Sequence, residues 1–175
     1  SGKSSKTEKL NLMERNNMNF SELFGNAQWV TCNSGCTSPV IKGGFFIEEP
    51  KKAEITICGL GFFRLWINGR EVSKDKFVPV NSQYCKRDLT AFEYPILDEL
   101  SYRTYAVRYD ISKFVIDGEN DIRVILGCGW FAQQKRSAEG FAKYGDIKLC
   151  YKIDVENKSG KKYTFVSDEN LEWKQ

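Results

Sequence analysis

Hydrophobic and polar residues alternate with a period close to two along most of this chain after residue 45. Ile55 and Ile57, for example, alternate with Glu54 and Thr56. The alternation is clearest over residues 147–155, where apolar side chains occupy every second position. Because successive side chains of a β-strand point to opposite faces, this pattern predicts half-buried strands. We find little helical periodicity after residue 30.

Turn residues separate the predicted strands. Asn68-Gly69 follows the alternating run of residues 63–67 and is the strongest two-residue hairpin signal, because both turn positions require a positive φ. Residue 70 is then expected to begin the returning strand. Further strands are predicted over residues 103–111, 122–126, 161–166 and 167–175, with turns at 117–120 and 157–160.

Many short strands separated by Gly, Asn and Asp turns predict an all-β fold, an antiparallel β-sandwich or jelly roll in a single domain. We expect that domain to cover residues 20–175. Residues 1–19 are predicted to be a polar lead-in, partly disordered or vector-derived, with a short helix over residues 6–15 left open. Residues 79–102 interrupt the regular spacing of strands and are expected to form an ordered surface loop.

The composition excludes several classes of protein. The 175 residues include no histidine, which removes Ser-His-Asp triads, Cys-His dyads and His-bearing zinc sites. A balance of 26 basic against 23 acidic residues gives little attraction to nucleic acid or anionic lipid. No apolar run is long enough to cross a membrane. We therefore expect no nucleic-acid partner, no membrane contact and no self-sufficient enzyme.

The six cysteines predict reduced thiols. The C-x-x-x-C spacing of Cys32 and Cys36 is typical neither of zinc ribbons nor of thioredoxins. Cys58 and Cys150 lie within apolar strands, where free cysteine packs as a small hydrophobe. Disulfides and a structural zinc site are the alternatives. Together with the lack of a signal peptide in the sequence, reduced thiols predict a cytoplasmic location, with secretion left open.

Six runs of the sequence form a series with a fixed order and spacing. They are CGLGFFRLWINGREV at residues 58–72, YDI at 109–111, GEN at 118–120, LGCGWF at 126–131, YGD at 144–146 and VSDE at 166–169. The series resembles the N-terminal β-sandwich domain of bacterial α-L-rhamnosidases, glycoside hydrolase family 78. Two features depart from the family pattern. Cys128 stands where relatives often carry an acid, and residues 79–87 take the place of a short family segment and are followed by a longer excursion to residue 102.

The resemblance implies a non-catalytic accessory domain. In that family the catalytic carboxylates lie on a downstream (α/α)-barrel, which would be the partner domain, and some relatives bind sugar at a sandwich with the help of calcium. We therefore expect either carbohydrate binding, which presents rhamnose-containing glycosides to the catalytic domain, or packing against the barrel without sugar. No cofactor is required. Calcium is implied by the resemblance alone, and the sequence assigns no ligand to it.

Six residues are candidates for contact with sugar or with the partner domain. They are Trp130, Phe131, Tyr84, Arg87, Asp146 and Asn81. Aromatic rings stack on sugars and planar polar groups bind hydroxyls, so we expect stacking by Trp130, Phe131 and Tyr84 and hydrogen bonds from the others. Each residue also has an alternative interpretation. Trp130 and Phe131 would anchor their loop in the core or on the barrel, and Asp146 would cap a turn.

Other motifs are predicted to be inert. The acidic pairs Asp98-Glu99 and Asp168-Glu169 consist of adjacent residues, whose side chains mostly point apart, whereas glycoside hydrolysis needs two carboxyl groups set across one sugar. Gly59-Leu60-Gly61 lies between two strands. Because no helix N-terminus follows it, we do not interpret it as a phosphate-binding loop.

Overall fold

The computed structural model describes residues 18–32, 35–86, 90, 102–133 and 144–174. Within these residues one helix and ten strands form. They are α1 (Phe20–Phe24), β1 (Val30–Thr31), β2 (Val40–Ile47), β3 (Pro50–Leu60), β4 (Phe62–Ile67), β5 (Arg70–Glu71), β6 (Val107–Asp110), β7 (Gly118–Gly127), β8 (Lys148–Asn157), β9 (Lys162–Val166) and β10 (Glu172–Lys174). With five residues, α1 is far shorter than the roughly 20 that a membrane-spanning helix needs.

The strands form two five-stranded sheets in which all pairings are antiparallel. The first sheet has the order β1-β8-β3-β6, and β9 pairs with β8 beside β1. The second sheet has the order β10-β2-β7-β4-β5. The all-β sandwich expected from the period-two pattern is thereby confirmed. The regular ladders satisfy the backbone polar groups that burial would otherwise leave unpaired.

The core lies between the two sheets and is built from the alternating positions. Leu149, Ile153 and Val155 of β8 are buried there, as the pattern predicts, and they share the core with residues such as Val124 and Ile67 of the second sheet. Each fully buried aliphatic side chain contributes about 1.5–3 kcal/mol through removal of apolar surface from water. These contributions favour the register in which the apolar face points inward.

The Asn68-Gly69 hairpin is also confirmed. Both residues have positive φ, 49° and 70°, and they join β4 to β5. The Asn68 side chain does more than occupy the turn. Its Nδ2 donates hydrogen bonds to the Phe114 carbonyl and to Asn120 Oδ1, and its Oδ1 accepts one from Asp121 N–H. The hairpin is therefore tied to the beginning of β7.

Three features differ from the expectation. The helix α1 lies inside the region predicted to be all β, and it begins with a capping box in which Asn19 and Glu22 bond reciprocally to each other's backbone N–H. β7 begins at Gly118, within the predicted turn, because residues 118–120 continue the pairing with β2. β6 begins only at Val107, since Arg103 bonds to the loop at Gln83 instead. The residues predicted as a short helix, 6–15, lie outside the described part.

The helix α1 explains why two cysteines are buried on the face of the first sheet that points away from the core. Phe24 and Ala27 cover Cys58 and Cys150, which lie opposite each other on β3 and β8. Burial raises the pKa of the Cys58 thiol to about 12 and that of Cys150 to about 11. The buried position predicted for these two thiols is confirmed. All six cysteines are free, and Cys36 is among the half-buried ones.

Candidate functional site

The loop that carries Trp130 begins where β7 ends. Gly61 has φ 122°, and a Cβ on it would lie 2.3 Å from the Gly127 carbonyl oxygen. Gly129 has φ 51°, and a Cβ there would lie 3.2 Å from Gly61 Cα. Only glycine permits this approach of two backbones. The two glycine motifs therefore pack against each other and hold the loop on the β3–β4 corner.

A second loop approaches from the segment after β5. The chain runs back along β4, where Phe63 N–H donates to the Val78 carbonyl (2.8 Å), and continues through a cis Val78–Pro79 peptide. The end of this segment is fixed by the Arg103 N–H, which donates to the Gln83 carbonyl at 2.9 Å. Residues 79–86 are thus held at both ends beside the Trp130 loop.

The two loops meet through an aromatic cluster. The ring of Tyr84 lies 5.1 Å from that of Phe131 and 5.4 Å from that of Tyr144, measured between centroids. A Cβ on Gly145 would lie 3.1 Å from the Phe131 ring, so no space remains there. Burial raises the pKa of the Tyr84 hydroxyl, and its hydrogen bonds with Ser82 oppose the rise. Phe131 and Tyr84 therefore anchor the two loops to each other.

Trp130 points the other way, into a shallow pocket at this end of the sandwich. The pocket has a volume of about 600 Å³ and is lined by Phe62, Phe77, Val80, Asn81, Gly129, Trp130 and Gln133. We call it the Trp130 pocket. The side chain of Trp130 remains 47% exposed. Aromatic faces and two amide side chains thus open to solvent together, an arrangement that suits a ligand with one apolar face and several hydroxyl groups.

Phe77 is a pocket residue that the sequence did not indicate. It is 72% exposed, although phenyl groups usually contribute to burial. Its φ of 59° lies in the left-handed region, which bulky residues rarely adopt. The ring packs edge-on against Phe62 at 5.4 Å. Exposure and backbone strain both oppose folding at this position, and strain of this kind clusters at functional sites.

A second, smaller opening adjoins the Trp130 pocket on the other side of the Phe62–Phe77 pair. It has a volume of about 320 Å³, and its lining is Ser38, Phe62, Phe63, Arg64, Lys76, Phe77, Ile125, Leu126 and Gly127. We call it the Arg64 cleft. Arg64 Nε donates to Glu71 Oε1 at 2.8 Å, and the guanidinium lies 5.0 Å from the centroid of the Trp66 ring. These two contacts fix the cation at the wall of the cleft.

The five sequence candidates that the structure describes do not form one site. Trp130 and Asn81 line one pocket, whereas Tyr84 and Phe131 form the anchor beside it. Asp146 does not line that pocket but lies near Cys32. The pKa of that thiol rises to about 12, chiefly through burial, then through its contacts with Cys36 and the charge of Asp146. Arg87 and the pair Asp98-Glu99 lie outside the described residues.

The VSDE run at residues 166–169 has a structural role at its serine. Ser167 is buried, and its Oγ accepts a hydrogen bond from Tyr151 N–H and donates one to the Gln28 carbonyl. The Gln28 N–H in turn donates to the Ser167 carbonyl. Ser167 thus joins the segment after α1 to β8, a role that sequence patterns alone did not reveal.

Most of this chain matches one known protein family. Residues 48–175 match the model of the family described as the α-L-rhamnosidase N-terminal domain. An α-L-rhamnosidase of Formosa agariphila is 29% identical over 133 residues, which make up 73% of this chain and 12% of that protein. This chain therefore spans about an eighth of the relative's length.

Solved α-L-rhamnosidase structures contain the same sandwich. The enzyme from Dictyoglumus thermophilum superposes with a TM-score of 0.66 at 25% identity, over 85% of this chain and 16% of that one. The enzyme from Aspergillus terreus gives a TM-score of 0.69 at 21% identity, over the same shares of the two chains. Since the family match extends over more than half of the sequence, this chain belongs to the family of α-L-rhamnosidase N-terminal domains.

Proposed function

We propose that this chain is a non-catalytic accessory domain that binds a rhamnose-containing carbohydrate in the Trp130 pocket and presents it to a catalytic domain of the same polypeptide. The observation that carries the proposal is the exposed aromatic surface of Trp130 and Phe77 beside the amides of Asn81 and Gln133. A 6-deoxy sugar has a methyl group and an apolar ring face for the aromatic rings, and hydroxyl groups for the amides.

The lining of the pocket supports binding rather than hydrolysis. A glycosidase needs two carboxyl groups about 5–9.5 Å apart across the glycosidic bond. None of the described residues that line the Trp130 pocket is acidic. The hydrolytic step therefore belongs, in this proposal, to a domain outside the 175 residues. Measurable hydrolysis of an aryl α-L-rhamnoside by the chain alone would contradict this part.

Calcium, which the family resemblance implies, finds no cluster of ligands in the described residues. Nowhere among them do three or more Asp, Glu or Cys side chains come together as a metal site. Calcium binding in proteins relies on several oxygen ligands, mainly from carboxylates. We therefore assign no residue to calcium and route no step through it.

A titration with L-rhamnose tests the proposal directly. The four tryptophans give four indole N–H signals in a proton–nitrogen NMR spectrum, and the Trp130 signal is identified by its loss in Trp130→Ala. We expect rhamnose to shift that signal and the backbone amides of Asn81 and Gln133, with and without added calcium. Trp130→Ala should weaken binding roughly tenfold, because the stacking surface is lost.

Two further variants test which aromatic residues contact the sugar. Trp66→Phe changes a tryptophan on β4 that lines neither opening, and it should leave the affinity unchanged. Phe77→Asn removes the ring but keeps a residue type that tolerates the left-handed region, so it should lose affinity without loss of stability. Signals that do not move up to high millimolar rhamnose would refute the proposal. Equal affinity of Trp130→Ala and the unaltered chain would place the sugar elsewhere.

A second candidate function is packing against another domain of the same polypeptide without sugar contact. Val80 favours it, because this aliphatic side chain is 64% exposed at the rim of the pocket and offers neither a hydrogen bond nor a stacking face. In that case residues 77–81 should gain protection from hydrogen exchange when the domain is part of the longer polypeptide. Rhamnose should then shift no signal of the 175-residue chain.

A further inference from the structure

The Trp130 pocket and the Arg64 cleft form one continuous surface. Phe62 and Phe77 line both, and their rings pack edge-on at 5.4 Å as a ridge between the two openings. The openings measure about 600 and 320 Å³, which lies within the usual range of ligand pockets, about 300–1,000 Å³. A ligand that extends from the first opening across Phe77 enters the second.

The two openings differ in charge. The described residues that line the Trp130 pocket carry no charged side chain, whereas those of the Arg64 cleft include two cations, Arg64 and Lys76, and no carboxylate. Glu71 holds one edge of the Arg64 guanidinium, at Nε and a terminal nitrogen. A guanidinium has five N–H donors, and these contacts with Glu71 use two of them.

Lys76 adds a second positive charge to the cleft. It is exposed and forms no ion pair with another described residue. Its neighbour Phe77, which has a left-handed φ of 59°, lines the same cleft. Arginine and lysine together suit a carboxylate or sulfate, and the aromatic ridge suits the ring that carries the anion.

We propose that the domain recognises an acidic oligosaccharide, in which a sugar in the Trp130 pocket is linked to a unit whose carboxylate or sulfate ester lies in the Arg64 cleft. This inference rests on the proposed function and specifies its substrate class. A single neutral sugar occupies the first opening alone. An anionic second unit gains the attraction of Lys76 and Arg64, and it does so through contacts that a single rhamnose cannot reach.

The test compares matched ligands on the 175-residue chain. The probes are L-rhamnose, a disaccharide of rhamnose linked to a uronic acid, the same disaccharide with its carboxyl group reduced to the alcohol, and that reduced disaccharide with a sulfate ester on its second unit. We expect the uronic acid disaccharide to bind about fivefold more tightly than its reduced form at low ionic strength, a typical gain for a partly exposed ion pair. The gain should shrink in 0.5 M salt, because the Debye length there is about 4 Å and exposed charges that lie farther apart are largely screened.

Variants assign the gain to the cleft. Lys76→Gln should remove most of the difference between the acidic and reduced disaccharides and leave the affinity for L-rhamnose unchanged. Lys74→Gln is the matched control, because Lys74 is an exposed lysine two residues away that lines neither opening. It should leave the difference intact. A gain for the uronic acid alone or for the sulfate ester alone supports the inference and identifies the anion.

The outcomes also separate the inference from the proposed function. If L-rhamnose binds and the acidic and reduced disaccharides bind equally well, the inference is overturned and the proposed function stands. If Lys76→Gln and Lys74→Gln reduce the gain equally, the attraction is a general effect of net charge and the Arg64 cleft is no subsite. If none of the four probes binds, both proposals are overturned.

Discussion

Asn120 should be among the most sensitive polar positions of this domain. It is 3% exposed at the beginning of β7. Its Nδ2 donates to the carbonyls of Ile116 and Gly118 at 2.9 and 3.0 Å, and its Oδ1 accepts from Ile116 N–H and Asn68 Nδ2 at 2.8 and 2.7 Å. An amide side chain has two donors and two accepting lone pairs, so its full capacity is used.

The cost of Asn120→Ala follows from these four bonds. A typical hydrogen bond contributes about 0.5–1.5 kcal/mol net, and a partner left unsatisfied in a buried place costs about 1–3 kcal/mol. Ile116 is itself exposed, so water can reach part of the vacated site. We therefore expect the free energy of unfolding to fall by about 3 kcal/mol, a large share of the 5–15 kcal/mol typical of a domain.

Urea unfolding followed by tryptophan fluorescence measures this change. Asn170→Ala is the control, because Asn170 is exposed and its side chain bonds only to Asp168 among the described residues. It should change the free energy of unfolding by less than about 0.5 kcal/mol. The m-value should stay constant in both variants. A loss below about 1 kcal/mol for Asn120→Ala would refute the reasoning that this network fastens the hairpin to β7.

Three further changes test other parts of the structure. Gly61→Ala should cost more than about 3 kcal/mol in thermal or urea unfolding, because its Cβ would overlap the Gly127 carbonyl, whereas Gly127→Ala meets no atom within 4 Å and should be nearly neutral. Ser167→Ala should cost about 1–3 kcal/mol by the same assays, since Tyr151 N–H and the Gln28 carbonyl both lose a partner; no loss would contradict the role assigned to that serine. Burial raises the pKa of Cys58 from 9.0 to about 12, so its thiol stabilises the fold fully below about pH 9 and loses that contribution as pH rises through about 12. Urea unfolding from about pH 8 to pH 11 should therefore show a shallower decline for Cys58→Ala than for the unaltered chain, and parallel declines would count against the assignment.

The fold was largely predictable because its signals are local. Alternation in β8 determines which residues face the core, and Asn68-Gly69 determines both the place and the type of one turn. The ends of elements were less predictable. β6 starts late because Arg103 pairs with Gln83, twenty residues away in sequence, and no local pattern reports such a contact.

The residue types of the site were predictable from the sequence, but the directions in which their side chains point were not. Trp130 and Phe131 are neighbours of similar character, and the sequence predicts stacking for both. The Tyr84 ring comes from a distant loop and covers Phe131, which leaves Trp130 as the exposed ring. Phe77 carried no signal in the sequence, because its left-handed φ of 59° is not a conformation that phenylalanine prefers.

The aromatic residues at this end of the sandwich fall into two groups that differ in exposure. Phe131, Tyr84 and Tyr144 are packed against one another and hold the two loops together. Trp130 and Phe77 are exposed, and the strained φ of Phe77 opposes folding further. A rigid anchor lowers the entropy lost when a ligand binds, and so the affinity of an open pocket depends on it. In the proposed function, the packed group therefore contributes to sugar binding indirectly, because it fixes the exposed group in one position.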